Sequence, residues 1–141
     1  MPAKDFFHDI VRTALEKDGW LITNHYGDCS MAVIDQWRAT LEETLQYYAD
    51  LPDPYDHVQT YVVVSRDGNH FFLMHEGWQG HKRIHGMVVH AEIRDGKIWM
   101  HYDGIEGSIT EELVSAGVPK ENIVLAFHPP YVREHTGYAV A

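Results

Sequence analysis

The sequence predicts an α+β domain: an N-terminal helix, a four-stranded antiparallel meander, a helix and a final strand. Three observations carry this. Apolar residues recur at helical spacing as far as Ala49, and beyond Pro52 and Pro54 the apolar period changes from 3.6 to 2. Between the alternating segments lie Asp67-Gly68-Asn69, Gln79-Gly80 and Asp95-Gly96, the residue types that tight hairpin turns require.

Taken in chain order, Phe6, Phe7, Ile10, Val11, Ala14 and Leu15 form the apolar stripe of an amphipathic helix from Lys4 to Lys17, ended by Asp18-Gly19. Trp20 to Thr23 is a short apolar run. The polar, glycine-containing stretch after it makes residues 25–34 a linker between an N-terminal segment, 1–24, and the main domain, 35–141. A second helix is expected from about Ile34 to Ala49, with Trp37, Leu41, Thr44, Leu45 and Tyr48 on one face and Asp35 placed to cap its start. Leu51-Pro52-Asp53-Pro54 ends it, because two prolines so close together cannot continue a helix. Strands are expected at His57 to Arg66, His70 to Trp78, Arg83 to Arg94 and Lys97 to Tyr102. Ile109 to Ala116 reads as a short helix stopped by Gly117, with Ser108 and Glu111 at capping-box spacing. Ile123 to Phe127 is apolar enough for a buried strand, His128-Pro129-Pro130 makes a rigid exit, and Tyr138 to Ala141 is expected to pack on the sheet. That apolar terminus also allows a homo-oligomer contact.

With 141 residues and 45% of them hydrophobic, the chain can bury a single core without metals or disulfides. It shows neither a secretory signal nor a run long enough to cross a bilayer, which predicts a soluble, cytoplasmic protein with no membrane association. The one cysteine, Cys29, can form neither an internal disulfide nor a paired-cysteine zinc site. A net charge of −10 opposes broad gripping of nucleic acid, since that affinity rests on Lys and Arg displacing counterions. Residues 57–101 differ from the rest. They carry slightly more Lys and Arg than Asp and Glu, together with seven of the 11 histidines, so an acidic partner is met there as the pH falls.

The densest local motif is Gly77-Trp78-Gln79-Gly80 followed by Lys82 and Arg83, an aromatic face and two cations on a flexible backbone. As structure alone it is a hairpin; as a site it grips an acidic partner or stacks on a base. Arg94 and Lys97 extend the cationic set. His81 and His85 share a strand face with Arg83 between them, while simple alternation sends His90 to the other, so no metal is expected. Neither Cys29, Ser65 nor Ser108 has the neighbours of a nucleophile. Glu76, Asp103 and Glu106 have no fixed separation for paired-carboxylate chemistry. The expectation is therefore no catalytic residue, no cofactor and no enzyme.

From Phe72 to Tyr102 the order FLMHEGWQGHKRIHGMVVHAEIRDGKIWMHY resembles the XisI family, the fdxN-element excision controlling factor. The likeness continues through Asp103-Gly104, Glu111 to Val114, Gly117 to Glu121, Ile123 to His128, Pro130 and Thr136 to Ala141, and spans residues 31–141. PAKDFFHDIVRTALEKDGWLIT, within residues 1–24, is similar to the first helix of XisH, a restriction-endonuclease-like family usually encoded beside XisI. The similarity fades near Asn24, before a nuclease core. The resemblance implies an accessory role in developmentally timed excision of a DNA element in cyanobacteria, where a site-specific recombinase exchanges the strands. The expected partner is an XisH-like protein or the recombination machinery, met through Trp78, Gly80, Lys82, Arg83, Arg94 and Lys97. Direct DNA contact through the same cations is the alternative, and an uncharacterised hydrolase a third.

Overall fold

A computed structural model describes residues 25–141, with side chains from residue 31 onward. The N-terminal amphipathic helix and the apolar run after it lie outside the described residues. The chain divides into two units, residues 1–33 and 34–141, and the sheet with its core belongs to the second.

Helix α1 spans His25–Asp50. Residues 25–34, expected as a linker, are therefore helical, and Asp35 lies well inside the helix instead of capping it. The stretch contains one glycine, Gly27, and no proline. That costs a helix about 1 kcal/mol, too little to stop it. Asp35 instead pairs with Arg38 one turn on, at 2.9 Å. Leu51 and the two prolines end the helix as expected.

Four strands follow, β1 (Val58–Val64), β2 (His70–Gln79), β3 (Lys82–Arg94) and β4 (Lys97–Asp103), each antiparallel to the one before it. Helix α2 (Ile109–Ser115) and a 3-10 turn (Lys120–Asn122) then carry the chain to β5 (Ile123–Leu125), which pairs parallel with β4. The sheet order is β1-β2-β3-β4-β5. Beyond β5 the chain makes one more helical turn, α3 (Pro130–Arg133), and returns so that Ala139 bridges to Val124 and donates its amide to the Ile123 carbonyl. The apolar terminus thus lies on the sheet, along the outer edge of β5.

One sheet face is the core. Phe71, Leu73, Val89, Ala91, Ile93, Ile98 and Met100 meet Trp37, Leu41 and Leu45 of α1 and Ile109 and Leu113 of α2. Each of the buried Val, Leu, Ile, Phe and Met side chains among them is worth about 1.5 to 3 kcal/mol in apolar area removed from water. Polar contacts fix the angle of α1. Arg38 donates to the Gly68 carbonyl and to Asn69 Oδ1 in the β1–β2 turn, and the Tyr48 hydroxyl donates to Glu112 of α2.

The start of α2 departs from the capping-box expectation. Ser108 has a φ of 67° and makes no side-chain cap. Asp103, at the end of β4, accepts the amides of Ile109 and Thr110 and the hydroxyls of Ser108 and Thr110. An ionised carboxylate at the positive end of the helix is a stronger partner than a hydroxyl, and a residue six positions back reaches it because Gly104 and Gly107 fold the loop over.

Candidate functional site

The second sheet face is uncovered by α1 and α2, and the sequence determines which residues reach it. In β2, alternation places His70, Phe72, Met74, Glu76 and Trp78 opposite the core face, because Phe71 and Leu73 point inward. In β3 a bulge interrupts the alternation: Met74 pairs with Met87, but Leu73 pairs with Val89. One extra residue reverses the side on which all later side chains emerge. Consequently His85, Met87, His90 and Glu92 all share the open face. The expectation that His90 faces away from His85 is corrected by this bulge.

Three histidines meet at the centre of that face. His70 Nδ1 and His90 Nε2 stand 3.1 Å apart, one donating and the other accepting. The His90 ring stacks on Phe72 at 4.2 Å and on His101 at 4.6 Å. Glu92 closes the group, accepting from His101 Nε2 at 2.9 Å and lying 3.6 Å from His70 Nε2. Burial, and then the charges of His101 and His70, hold the His90 imidazolium below the usual histidine range, against the opposing pull of Glu92. For Glu92 burial pushes upward, but the hydrogen bond from His101 and the charges of Arg94, His70 and His101 outweigh it and leave the carboxylate below its usual range. Among the described residues no group of three or more His, Cys, Asp or Glu is placed to hold a metal ion.

Part of this cluster was legible in the sequence. The two-residue turn Asp95-Gly96 sets Arg94 against Lys97, and counting back from it reaches Ala91 against Met100, after which a second register shift pairs His90 with Tyr102 while its ring stacks on the neighbouring His101. His70 was hidden, because only the β3 bulge brings Phe72, not Phe71, opposite His90.

The six expected partner-contact residues divide into two groups. Trp78, Gly80, Lys82 and Arg83 form the β2–β3 hairpin, where Gly80, with a φ of 61°, supplies the turn. Trp78 is 51% exposed, and Arg83 lies 5.4 Å from its ring while pairing with Glu76 at 2.8 Å. Lys82 is exposed. Arg94 and Lys97 flank the next turn, at the far end of β3. Thirteen residues of strand at roughly 3.3 Å each separate the two groups by on the order of 40 Å. They also have internal partners. The Arg94 guanidinium covers the Trp99 ring at 3.7 Å, and Lys97 Nζ donates to the Ala141 main-chain oxygen at 2.6 Å. The six residues therefore do not converge on one site.

The other candidates are accounted for separately. Glu76 is paired with Arg83 and Asp103 caps α2, so two of the three carboxylates considered for paired catalysis are engaged in different places, and the third, Glu106, is exposed in the loop before α2. Ser65 Oγ accepts the His70 amide and donates to Asp67 Oδ1 in the β1–β2 turn. The side chain of Cys29 lies outside the described residues.

Comparison with known proteins places this geometry. The family model of the XisI protein matches residues 31–140, and that of the XisH protein matches residues 1–37. Among solved structures, a XisI-like protein from Anabaena variabilis is similar at 37% identity and a TM-score of 0.70, over 75% of this chain and 97% of that one. The fdxN element excision controlling factor XisI from Anabaena variabilis is similar at 31% identity and a TM-score of 0.62, over 74% and 96%. None of the curated proteins matches.

Proposed function

The chain belongs to the XisI family, and from that premise we propose that it is a non-enzymatic accessory factor in programmed excision of a DNA element. It acts by protein–protein contact, with an XisH-like partner or with the recombination machinery. The observation that carries the reading is the coexistence in one polypeptide of an XisH match over residues 1–37 and a XisI match over residues 31–140. Fusion holds its two parts at high effective concentration without any new contact, which favours parts that act together. The role in excision is carried over from the name of the related Anabaena variabilis protein.

Charge supports protein contact over DNA gripping, because the chain carries −10 and the candidate contact cations Lys82 and Arg83 stand at the opposite end of β3 from Arg94 and Lys97, a poor match for a continuous phosphate backbone. The non-enzymatic reading is supported by the structural uses found for Asp103, Glu76 and Ser65. A purified full-length XisH-like protein, passed over immobilised chain and over residues 31–141, tests the reading. Retention at micromolar concentration is expected, and its absence from both contradicts the proposal. A partner lost on removal of residues 1–30 assigns the contact to that segment.

A second reading, direct DNA contact, rests on one observation: the exposed Trp78, Lys82 and Arg83 stand together at the β2–β3 hairpin. It requires salt-sensitive binding that Lys82→Glu with Arg83→Glu weakens. Affinity unchanged in that double variant removes it.

A further inference from the structure

Two bulges meet at His90. Toward β2 the register shift leaves Val88 unmatched, since Met74 pairs with Met87 and Leu73 with Val89. Toward β4 a second shift leaves His101 unmatched, since Ala91 pairs with Met100 and His90 with Tyr102. Bulges re-aim side chains. These two gather His70, His90 and His101, from three different strands, around Glu92, which stands directly opposite His70.

The contacts fix where each hydrogen sits, because a neutral imidazole has one N–H and one acceptor nitrogen. Glu92, ionised below the usual carboxylate range, accepts from His101 Nε2 at 2.9 Å, so that nitrogen carries the proton. The other Glu92 oxygen lies 3.6 Å from His70 Nε2. A carboxylate facing an imidazole nitrogen favours N–H there over a lone pair. His70 Nδ1 is then the acceptor, and the donor across the 3.1 Å contact is His90 Nε2. The hydrogen bonds therefore run one way, from His90 to His70 to Glu92, with His101 joining from β4.

We propose that this chain of contacts is an acid-sensitive latch across β2, β3 and β4, aligned by Glu92 and closed while at least one of His70 and His90 keeps an acceptor nitrogen. A first added proton leaves a single hydrogen between the two rings, and the bond survives. A second leaves two N–H groups of like charge facing each other at 3.1 Å, and the pair must separate.

Among the described residues, the groups facing the pair come from every neighbouring element. On β3 they are Glu92 and Arg94, and on β4 His101 and Tyr102. The β1–β2 turn brings Asp67, next to Arg66, within electrostatic reach of His70. From β1 the titratable residue is Tyr61. Glu76, Arg83 and His85 lie further along, toward the β2–β3 hairpin. Burial and the charges of His101 and His70 hold His90 below the usual histidine range. The opening proton therefore enters below a pH of about 6.5. Opened, the face that α1 and α2 leave uncovered changes from a stacked, neutral row to a cationic one, in a chain of charge −10.

Nitrogen-15 NMR of the full chain tests the latch, because imidazole nitrogens with and without a hydrogen resonate far apart. At a pH of about 8, well above the ordinary histidine value, all three histidines should carry the proton at Nε2 alone. A scalar coupling through the hydrogen bond should join His70 Nδ1 to His90 Nε2. On acidification the pair should titrate in two separate steps, and the coupling should vanish with the second while the backbone amides keep their folded dispersion. Glu92→Gln, of the same shape, removes the aligning charge and should shift His70 and His90 toward protonation at Nδ1. The wild-type measurements decide the proposal even if that variant fails to fold. A His70, His90 or His101 protonated at Nδ1 in the neutral wild-type chain overturns it. So does a missing coupling, one lost in the first step, one that persists until the chain unfolds in acid, or an alignment unchanged in folded Glu92→Gln.

Discussion

Gly77 and Gly80 bracket Trp78 and look equivalent in the sequence, but their surroundings make them unequal. A Cβ on Gly77 would overlap the His57 carbonyl oxygen and stand 2.6 Å from the Val58 Cα, and its φ is 154°. Gly80 has a φ of 61° and open space around it. Gly77→Ala must therefore push β1 off β2 and should cost about 3 kcal/mol or more, whereas Gly80→Ala carries only the left-handed backbone penalty of about 1 to 2 kcal/mol. Urea denaturation of the two variants checks the order; equal losses contradict it. His90 gives a second prediction. Its proton affinity is lower folded than unfolded, so the unfolded chain takes up the proton first. The stability present above the unfolded value of about 6.5 is lost as the pH falls below it. Glu92 acts in the same direction at lower pH, its depressed affinity favouring the folded state until the carboxylate protonates. Melting temperature should thus fall from pH 7.5 to 5.5, and His90→Phe should flatten that fall while keeping the stack on Phe72. A slope unchanged in the variant contradicts the assignment.

At the scale of elements, period and turn chemistry were enough for the helix, the four-stranded meander, α2 and β5, because each is bounded by a glycine or proline signal. The misses have physical causes. Residues 25–34 offered weak periodicity but no stop strong enough to end a helix, so α1 begins at His25. The β3 bulge leaves no residue signature, and with it the His70 contact stayed hidden. The cap of α2 was assigned by local spacing to Ser108, while the carboxylate that serves it arrives from β4. Asp103→Ala should therefore destabilise the chain by about 1 to 2 kcal/mol, the usual worth of a cap. Ser108→Ala, which loses one hydroxyl donor to Asp103, should cost about half as much. Thermal denaturation of both variants decides it, and a larger loss for Ser108→Ala would restore the capping box.

Across the whole molecule, a sheet filled on one face by α1 and α2 leaves the other face and the β1 edge for contact. The family pattern in Phe72 to Tyr102 made this architecture recognisable, since glycines such as Gly77 and Gly80 and the buried strand residues Val89, Ala91 and Ile98 are set by the fold. Function was less legible. Trp78 and Arg83 share a surface with Lys82, but Arg94 and Lys97 stand at the opposite end of β3, a separation that linear spacing conceals. The proposed reading is an accessory factor with an XisH-like partner, and what supports it is the XisH match over residues 1–37 of the same chain. Titration calorimetry of the intact chain with a purified full-length XisH-like protein tests that claim most directly. Saturable binding is predicted, with a dissociation constant in the micromolar range or tighter, little changed between low and moderate salt. Absence of binding at tens of micromolar, in a preparation where both proteins are folded, would contradict it.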